Sequence, residues 1–355
     1  MIEKVLQAKN LTKAYRKVVS NKGSAGIDSM KTEELKSFID ENRSAIALDI
    51  LHRRYVPTAI KGVEIPKSNG KTRLLGVPTV VDRWLQQAVG RQLANVFELE
   101  FEDESYGFRP QRSTQKAVLK SLKYINDGYQ DIVDIDLQGF FDEVEHYKIL
   151  QLIYNKVKCP TTLWLIRKWL RVPIQIKGKL HKRRKGVPQG SPLSPFLSNI
   201  MLDELDKYLK SEGCMFLRYA DDFSIYTKSK AEAKKIGNKV YKFLKKKLCL
   251  PINREKSGIR RPVDFELLGH GFTQTYKKGE KGKYRVVVKK SSWQSLKRKL
   301  KFITKKTLPY SLEERIRKLN EVIRGWVNNF RLGSIKLKLK KLDEWLRNRL
   351  RCCIW

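Results

Sequence analysis

The sequence predicts an α+β protein, with strands and helices mixed in the centre and helices at both ends. Three observations predict this. Residues 1–60 read as an amino-terminal helical extension, broken once at Asn21-Lys22-Gly23-Ser24-Ala25-Gly26. Residues 61–275 alternate β-leaning runs with helical stretches. Residues 285–355 return to helical periodicity, after a basic segment, Tyr284–Lys290, of strand character. A linker is expected at Tyr276–Lys283, which holds two Gly and four Lys. The 355 residues suit two or three such units.

Composition narrows the class. An apolar share of 41% supports a folded core and argues against disorder throughout. No apolar run approaches the roughly 18 residues that a membrane span needs. The opening MIEKVLQAKNLTKAY is interrupted by polar residues and lacks a secretory core, so it reads as helix. Five Cys, scattered apart from Cys352–Cys353, argue against a disulfide framework and for a reducing compartment.

The centre carries the chemistry, and its elements follow in order. In DIVDIDLQGFFDEV (131–144), Asp131, Asp134 and Asp136 alternate along an apolar-leaning strand, and Asp142 follows. Alternation puts Asp134 and Asp136 on one face. In KGVPQGSPLSPFLSNIMLDELD (185–206), Pro188, Gly190, Pro192 and Pro195 impose an extended turn before an amphipathic helix from about Pro195 to Leu209. Gln189 and Ser191 in that turn suit hydrogen bonds to a sugar or base. In CMFLRYADDFSIYT (214–227), two β-leaning runs flank Ala220-Asp221-Asp222, the pattern of a hairpin with carboxylates at its turn. Each segment has an ordinary explanation: helix capping, a Pro/Gly turn, turn chemistry. Carboxylates converging from two separate strands make a hard, oxygen-rich site suited to Mg²⁺. Two such ions about 4 Å apart suit phosphoryl transfer.

The carboxy-terminal helices read clearly. Ser311 followed by Glu314 is a capping-box pattern. Leu312, Ile316, Leu319, Ile323, Trp326 and Phe330 then recur at helical steps, and Gly333 stands where a helix would stop. The chain has 75 Lys+Arg against 37 Asp+Glu, a net +38. Residues 271–355 hold 25 Lys+Arg against 6 Asp+Glu, half of that excess. Such charge repels itself unless a polyanion is near, and nucleic acid is the usual one. The interleaved Trp293, Trp326, Phe330 and Trp345 mark a folded basic unit, not a tail.

Taken together, the segments resemble the reverse transcriptases encoded by group II introns, the intron maturases. The resemblance runs from about Leu11 to Trp355. Its pieces are NKGSAGID (21–28), RRYVPTAIKGVEIPKSNGKTRLLGVPTVVDRWLQQAV (53–89), SYGFRP (105–110), DIDLQGFFD (134–142), GVPQGSPLSPFLSNIMLDELD (186–206), RYADD (218–222), LPINREKS (250–257), LLGHGF (267–272) and IRGWVNNFRLGS (323–334). The resemblance implies a right-hand polymerase: fingers and palm to about residue 275, with an antiparallel palm sheet, then a basic helical thumb over 285–355. It implies an RNA-directed DNA polymerase using two Mg²⁺, with Mn²⁺ as substitute. Its partners would be an RNA template, a DNA or RNA primer, deoxynucleoside triphosphates and group II intron RNA, without a membrane, in the bacterial cytoplasm.

The resemblance also implies roles. Asp136, Asp221 and Asp222 match the metal-binding carboxylates, and the Leu137 carbonyl faces a metal. Asp136 is preferred to its neighbour Asp134 because it begins D-x-x-x-F-F-D. Asp142 orders the loop. Phe141 matches an aromatic gate whose ring would clash with a ribose 2′-OH. Lys67 and Arg73 match residues that clamp the triphosphate, with Lys71 as the local alternative, and Arg suits phosphate through paired donors. Gln189 borders the incoming nucleotide, and Lys256 approaches the leaving pyrophosphate. Arg109 anchors a structural or template-contacting loop. Lys336, Lys338, Lys340 and Lys341 form a cluster for nucleic-acid contact. The four His lie at 52, 146, 181 and 270, so no His-metal nuclease is expected after the thumb; many relatives continue past the thumb into a DNA-binding domain, and the stop at Trp355 puts independent target-DNA binding and full retrohoming in doubt, but not polymerisation. Two other readings share the sequence: an RNA-binding splicing maturase that needs no polymerase turnover, and a domesticated relative in phage defence or DNA repair.

Overall fold

The computed structural model describes residues 1–66, 70, 72–276, 280 and 282–354. The amino-terminal third contains α1 (Ile2–Leu6), α2 (Ala8–Ser20) and α3 (Leu35–Leu51), then β1 (Ile60–Pro66), β2 (Thr72–Val77) and α4 (Val80–Phe97). The break expected at 21–26 falls between α2 and α3. Thr79 starts α4 by accepting the Asp82 N–H at 3.2 Å, which satisfies one of the free amides at the helix start.

The centre continues with α5 (Thr114–Asn126), β3 (Asp131–Ile135), α6 (Phe140–Glu143), α7 (His146–Val157), α8 (Pro160–Arg171), β4 (Ile174–Ile176) and β5 (Lys179–His181). Next come α9 (Ser194–Ser211), β6 (Met215–Tyr219), β7 (Asp222–Thr227), α10 (Lys230–Phe243), β8 (Gly258–Arg260), β9 (Glu266–Leu267) and β10 (His270–Gln274). The chain ends with β11 (Tyr284–Val288), α11 (Lys290–Ile303), α12 (Leu312–Phe330) and α13 (Lys336–Ile354). The α+β class and the helical carboxy terminus are as expected.

Among the described residues, three sheets form, in the orders β2-β1-β4-β5, β6-β7-β3-β8 and β11-β10-β9. The second is wholly antiparallel and positions the site. Its inner strand β3 buries Ile132, Val133 and Ile135, and it pairs with β7 so that Asp134 lies opposite Ser224 and Ile135 opposite Phe223. A large core runs from α1 and α2 through α4 and α9 to this sheet. A separate core of Leu296, Leu300, Ile303, Leu319 and Leu346 holds α11, α12 and α13 together. Among the described residues, no helix is long and apolar enough to cross a membrane.

Two expectations need correction. The expected linker at Tyr276–Lys283 does not separate two units: the described residues on either side of it pair as neighbouring antiparallel strands. Gln274 pairs with Tyr284, and Thr275 N–H donates to Lys283 O at 2.8 Å. Gly- and Lys-rich composition marks turns and linkers alike, and only the long-range pairing distinguishes them. On α12, Ser311 caps Glu314 as expected, and Leu319 and Phe330 are buried, but Leu312 and Ile316 are exposed. The apolar stripe runs one turn further toward the amino end of the helix than the core that covers it.

Candidate active site

The site is built where β3 ends and the β6–β7 hairpin turns. Asp136 immediately follows β3. Its N–H donates to Ser257 Oγ at 3.0 Å, and its carbonyl accepts the Asn253 N–H at 2.9 Å. Leu137 bridges to Ile252. Segment 250–257 therefore fixes the backbone that carries Asp136. Tyr219 pairs with Asp222 across the hairpin, which leaves Ala220 and Asp221 as a two-residue turn. Ala220 has φ +60°, the left-handed region that a Cβ disfavours by roughly 1–2 kcal/mol. The expected hairpin is present, with Asp221 at its tip and Asp222 opening β7.

Four carboxylates share one electrostatic field. Lost hydration pushes Asp222 up to about 6, helped by repulsion from Asp221, Asp136 and Asp134 and opposed by Lys256. Asp221 is raised first by lost hydration and then by Asp136, while Arg73 and Arg218 oppose the shift. Asp134 is raised by burial against the pull of Arg260, whose Nε lies 2.8 Å away. Lys256 Nζ stands 3.4 Å from Asp136 Oδ2. Asp134, Asp136, Asp222, Lys256 and Arg260 line a cleft of about 510 Å³.

Among the described residues, no three His, Cys, Asp or Glu side chains stand as a ready cage for one metal ion. Asp136 and Asp134 each lean on a cation of the protein. The donor set still fits a hard divalent ion: every ligand atom is oxygen, and the repulsion that raises Asp221 and Asp222 is what a cation relieves.

The nucleotide-facing candidates meet at one loop. Phe141 lies in α6, partly buried, with its ring edge-on to Phe140 at 5.4 Å and 72°. Val187 N–H donates to Phe141 O at 2.6 Å. Gly186, at φ +82°, lets the loop approach: a Cβ there would lie 2.8 Å from the carbonyl oxygens of Phe141 and Asp142. On the other side, Gly76 N–H donates to Gln189 O at 2.7 Å, and the Arg73 guanidinium donates to the Gln189 side chain. Arg73, Gln189 and Phe141 are therefore joined through residues 186–190. Lys67, and its alternative Lys71, lie outside the described residues.

Of the two readings of Arg109, its surroundings favour the structural anchor over the nucleic-acid contact: its side chain is 4% exposed and committed within the protein. It donates to Glu98 Oε1 at 2.8 Å, to the carbonyls of Glu102, Ser105, Glu98 and Phe101, and it lies over the Phe101 ring. A guanidinium with its donors taken has none left for phosphate. Lys336, Lys338, Lys340 and Lys341 are exposed on α13, and Lys338 Nζ sits 5.5 Å from the Trp293 ring.

Sequence reading missed three partners: Ser257 on Asp136, Arg260 on Asp134, and Arg218 beneath the turn. The only signal was an Arg inside an apolar strand run in RYADD. A buried charge there demands a partner, which the sequence does not identify.

With this geometry, comparisons with known proteins become specific. The sequence model of the reverse transcriptase (RNA-dependent DNA polymerase) family matches residues 65–272, and that of the group II intron maturase-specific domain matches residues 293–355. Protein YkfC of Escherichia coli (strain K12) is 28% identical over 328 residues, covering 81% of this chain and 86% of YkfC. The group II intron-encoded protein LtrA of Lactococcus lactis subsp. cremoris is 38% identical over 197 residues, covering 55% of this chain and 33% of LtrA. The match therefore spans about a third of LtrA's length. A solved partial Cas6-RT-Cas1–Cas2 complex is similar at 26% identity and TM-score 0.41, over 69% of this chain and 42% of that one. The chain belongs to the reverse transcriptase family, in its group II intron branch: an RNA-directed DNA polymerase of the class that depends on divalent metal and works on nucleic acid.

Proposed function

We propose that the chain extends a primer 3′-OH with deoxynucleotides on an RNA template, using Mg²⁺ held by Asp136, Asp221, Asp222 and the Leu137 carbonyl. One observation carries this reading: Asp222 feels Asp221, Asp136 and Asp134 together, in a cleft edged by Lys256 and near Arg73. When bound, two Mg²⁺ lower the pKa of the primer hydroxyl and neutralise charge on the transferring phosphate. The protein's own groups do the rest. Arg73 pairs with phosphate oxygens once it releases Gln189. Lys256 offers its ammonium to the leaving pyrophosphate. Phe141 stands under the sugar and excludes a 2′-OH. The deciding experiment is primer extension beside filter binding for Asp221→Ala and Asp222→Ala. Extension should fall at least about 10³-fold, since each change removes a metal ligand, with RNA binding retained. Normal extension by both variants sinks the assignment.

A second activity has its own support. The four exposed lysines of α13 lie in the segment matched by the maturase-specific domain. This favours binding of group II intron RNA to assist splicing beside polymerisation. Splicing of a cognate intron in the presence of Asp221→Ala protein would separate the two roles.

A further inference from the structure

Beneath the Ala220–Asp221 turn lies a polar cluster with no outlet to solvent. Arg218 is 0% exposed, as are Asp206, Asn199 and Ser105. Arg218 Nε donates to both Asp206 oxygens at 2.8 and 2.9 Å. Its Nη1 donates to Asn199 Oδ1 and to the Ala220 carbonyl, both at 2.9 Å, and its Nη2 reaches Ser105 Oγ at 2.7 Å as well as Asp206. Every N–H of the guanidinium is used. An ion pair buried this deeply is weak support for stability, because desolvating both charges offsets their attraction. Its geometry is what it offers: five fixed directions from one planar group, which the single ammonium of Lys cannot reproduce.

The loop of the SYGFRP segment closes over the same turn. Tyr106 N–H donates to Arg218 O at 2.8 Å, and Arg218 N–H donates to Glu104 O at 2.9 Å. Asn199 Nδ2 holds the Gly107 carbonyl at 2.9 Å. A Cβ on Gly107 would lie 2.2 Å from Ala220 N, closer than any packing allows. Arg109 ties the far end of this loop to Glu98, Phe101 and Glu102. The left-handed Ala220 is thus clamped by a side chain from below and by a backbone from above.

We propose that Arg218, with Ser105 and Gly107, forms a positioning brace that sets the Asp221–Asp222 carboxylates for catalysis. None of these residues touches the reacting atoms. The inference rests on the reading of Asp221 and Asp222 as catalytic. A merely structural cluster would cost stability when broken and leave the turnover of the folded protein alone. A brace does the opposite: it acts on kcat, and on how well the bare protein holds a divalent ion.

The test uses the full chain with Ser105→Ala, Gly107→Ala, Arg218→Lys and Asp221→Ala. Single-nucleotide incorporation gives kcat and KM, thermal unfolding reports the folded fraction, and electron paramagnetic resonance follows Mn²⁺ binding to protein alone. Misplacing a reacting group by about 1 Å costs on the order of 100-fold, and that is the kcat loss expected for folded Gly107→Ala and Arg218→Lys. Ser105→Ala, which removes one of the five acceptor atoms, should lose roughly tenfold on the same scale. Nucleotide KM and primer–template affinity should hold, and Mn²⁺ binding should weaken in parallel with kcat. If Arg218→Lys does not fold, the other two variants decide, since they keep the ion pair. Wild-type kcat and Mn²⁺ binding in folded Ser105→Ala and Gly107→Ala overturn the brace, as does a kcat loss that only mirrors the unfolded fraction. Turnover lost in Asp221→Ala but kept in these variants defeats the brace alone. Turnover kept in Asp221→Ala defeats the active-site reading and the brace with it.

Discussion

The acidic cleft and the carboxy-terminal helices handle charge in opposite ways. In the cleft, each key carboxylate or its backbone is tied to a fixed partner: Ser257 and Lys256 on Asp136, Arg260 on Asp134, and the buried Arg218 under the turn of Asp221. On α13, Lys336, Lys338, Lys340 and Lys341 stand in solvent, while α11, α12 and α13 meet through Trp293, Trp326, Phe330 and Leu346. Phosphoryl transfer needs a few atoms held within fractions of an ångström. Gripping a phosphate backbone needs charge density and little else.

The comparison breaks most visibly at Trp326. Its ring lies 4.4 Å from Trp293 and 4.7 Å from Phe330. Trp326→Ala should cost about 3 kcal/mol of stability, a factor above 100 in the folding constant, read by denaturant unfolding. Trp326→Phe should cost little, because the buried indole N–H has no hydrogen-bond partner among the described residues and its removal relieves that burden. Equal losses in both would show that the indole contributes more than its ring.

Sugar choice comes next in size. Phe141→Ala should raise ribonucleotide relative to deoxynucleotide incorporation by on the order of 100-fold, the discrimination an apolar wall gives against a hydroxyl. Competitive single-nucleotide incorporation measures it, and an unchanged ratio makes Phe141 a packing residue.

A smaller effect is expected from the exposed lysines. Replacing Lys336, Lys338, Lys340 and Lys341 with Gln should weaken duplex binding roughly tenfold at moderate salt. The log–log salt slope should flatten by about 2, since each phosphate contact adds about 0.9 and only some of the four face the duplex. Turnover at saturating template should stay near wild type. A Kd series from low to high salt decides, and an unchanged slope makes these lysines bystanders.

The smallest effect is a pH dependence. Asp222 titrates at about 6 in the folded protein against an ordinary 3.8. The folded form therefore keeps a proton that the unfolded chain releases. Its stabilisation is full below about pH 4 and is lost as pH climbs through 6. Asp222→Asn should raise stability at pH 7 by roughly 1 kcal/mol, after allowance for solvent at this exposed side chain, and by less at pH 4.5. Mg²⁺ should raise the Tm of the wild type more at pH 7 than at pH 5. Thermal unfolding at both pH values checks the sign, and a gain that is larger in acid reverses it.

What the sequence made legible was local. The capping box at Ser311, the turn before α9 and the hairpin at Ala220-Asp221 follow from residues adjacent in the chain. So does the alternation that places Asp134 and Asp136 together. What stayed hidden was pairing at a distance. Arg260 reaches Asp134 across 126 positions, and Arg218 reaches Ser105 across 113. No local pattern says which carboxylate a buried Arg will find. Arg109 shows the converse ambiguity: its motif left a structural and a template-contacting anchor open, and only its burial among backbone carbonyls favours the first. The hairpin at 274–284 was misread for the same reason, because strand pairing is a property of two segments.

The hairpin of β10 and β11 has a mechanical side. Leu267, Leu268 and Gly269 form part of the cleft wall. The Gly269 carbonyl accepts from Lys289 N–H at 3.2 Å and from Ser292 Oγ at 3.3 Å, and Phe330 of α12 packs on His270 at 4.9 Å. Lys289 alone separates β11 from α11. The wall of the cleft and the helices beyond it are thus coupled in series through a short, hydrogen-bonded joint, so a displacement of one is passed to the other through a single residue and its bonds.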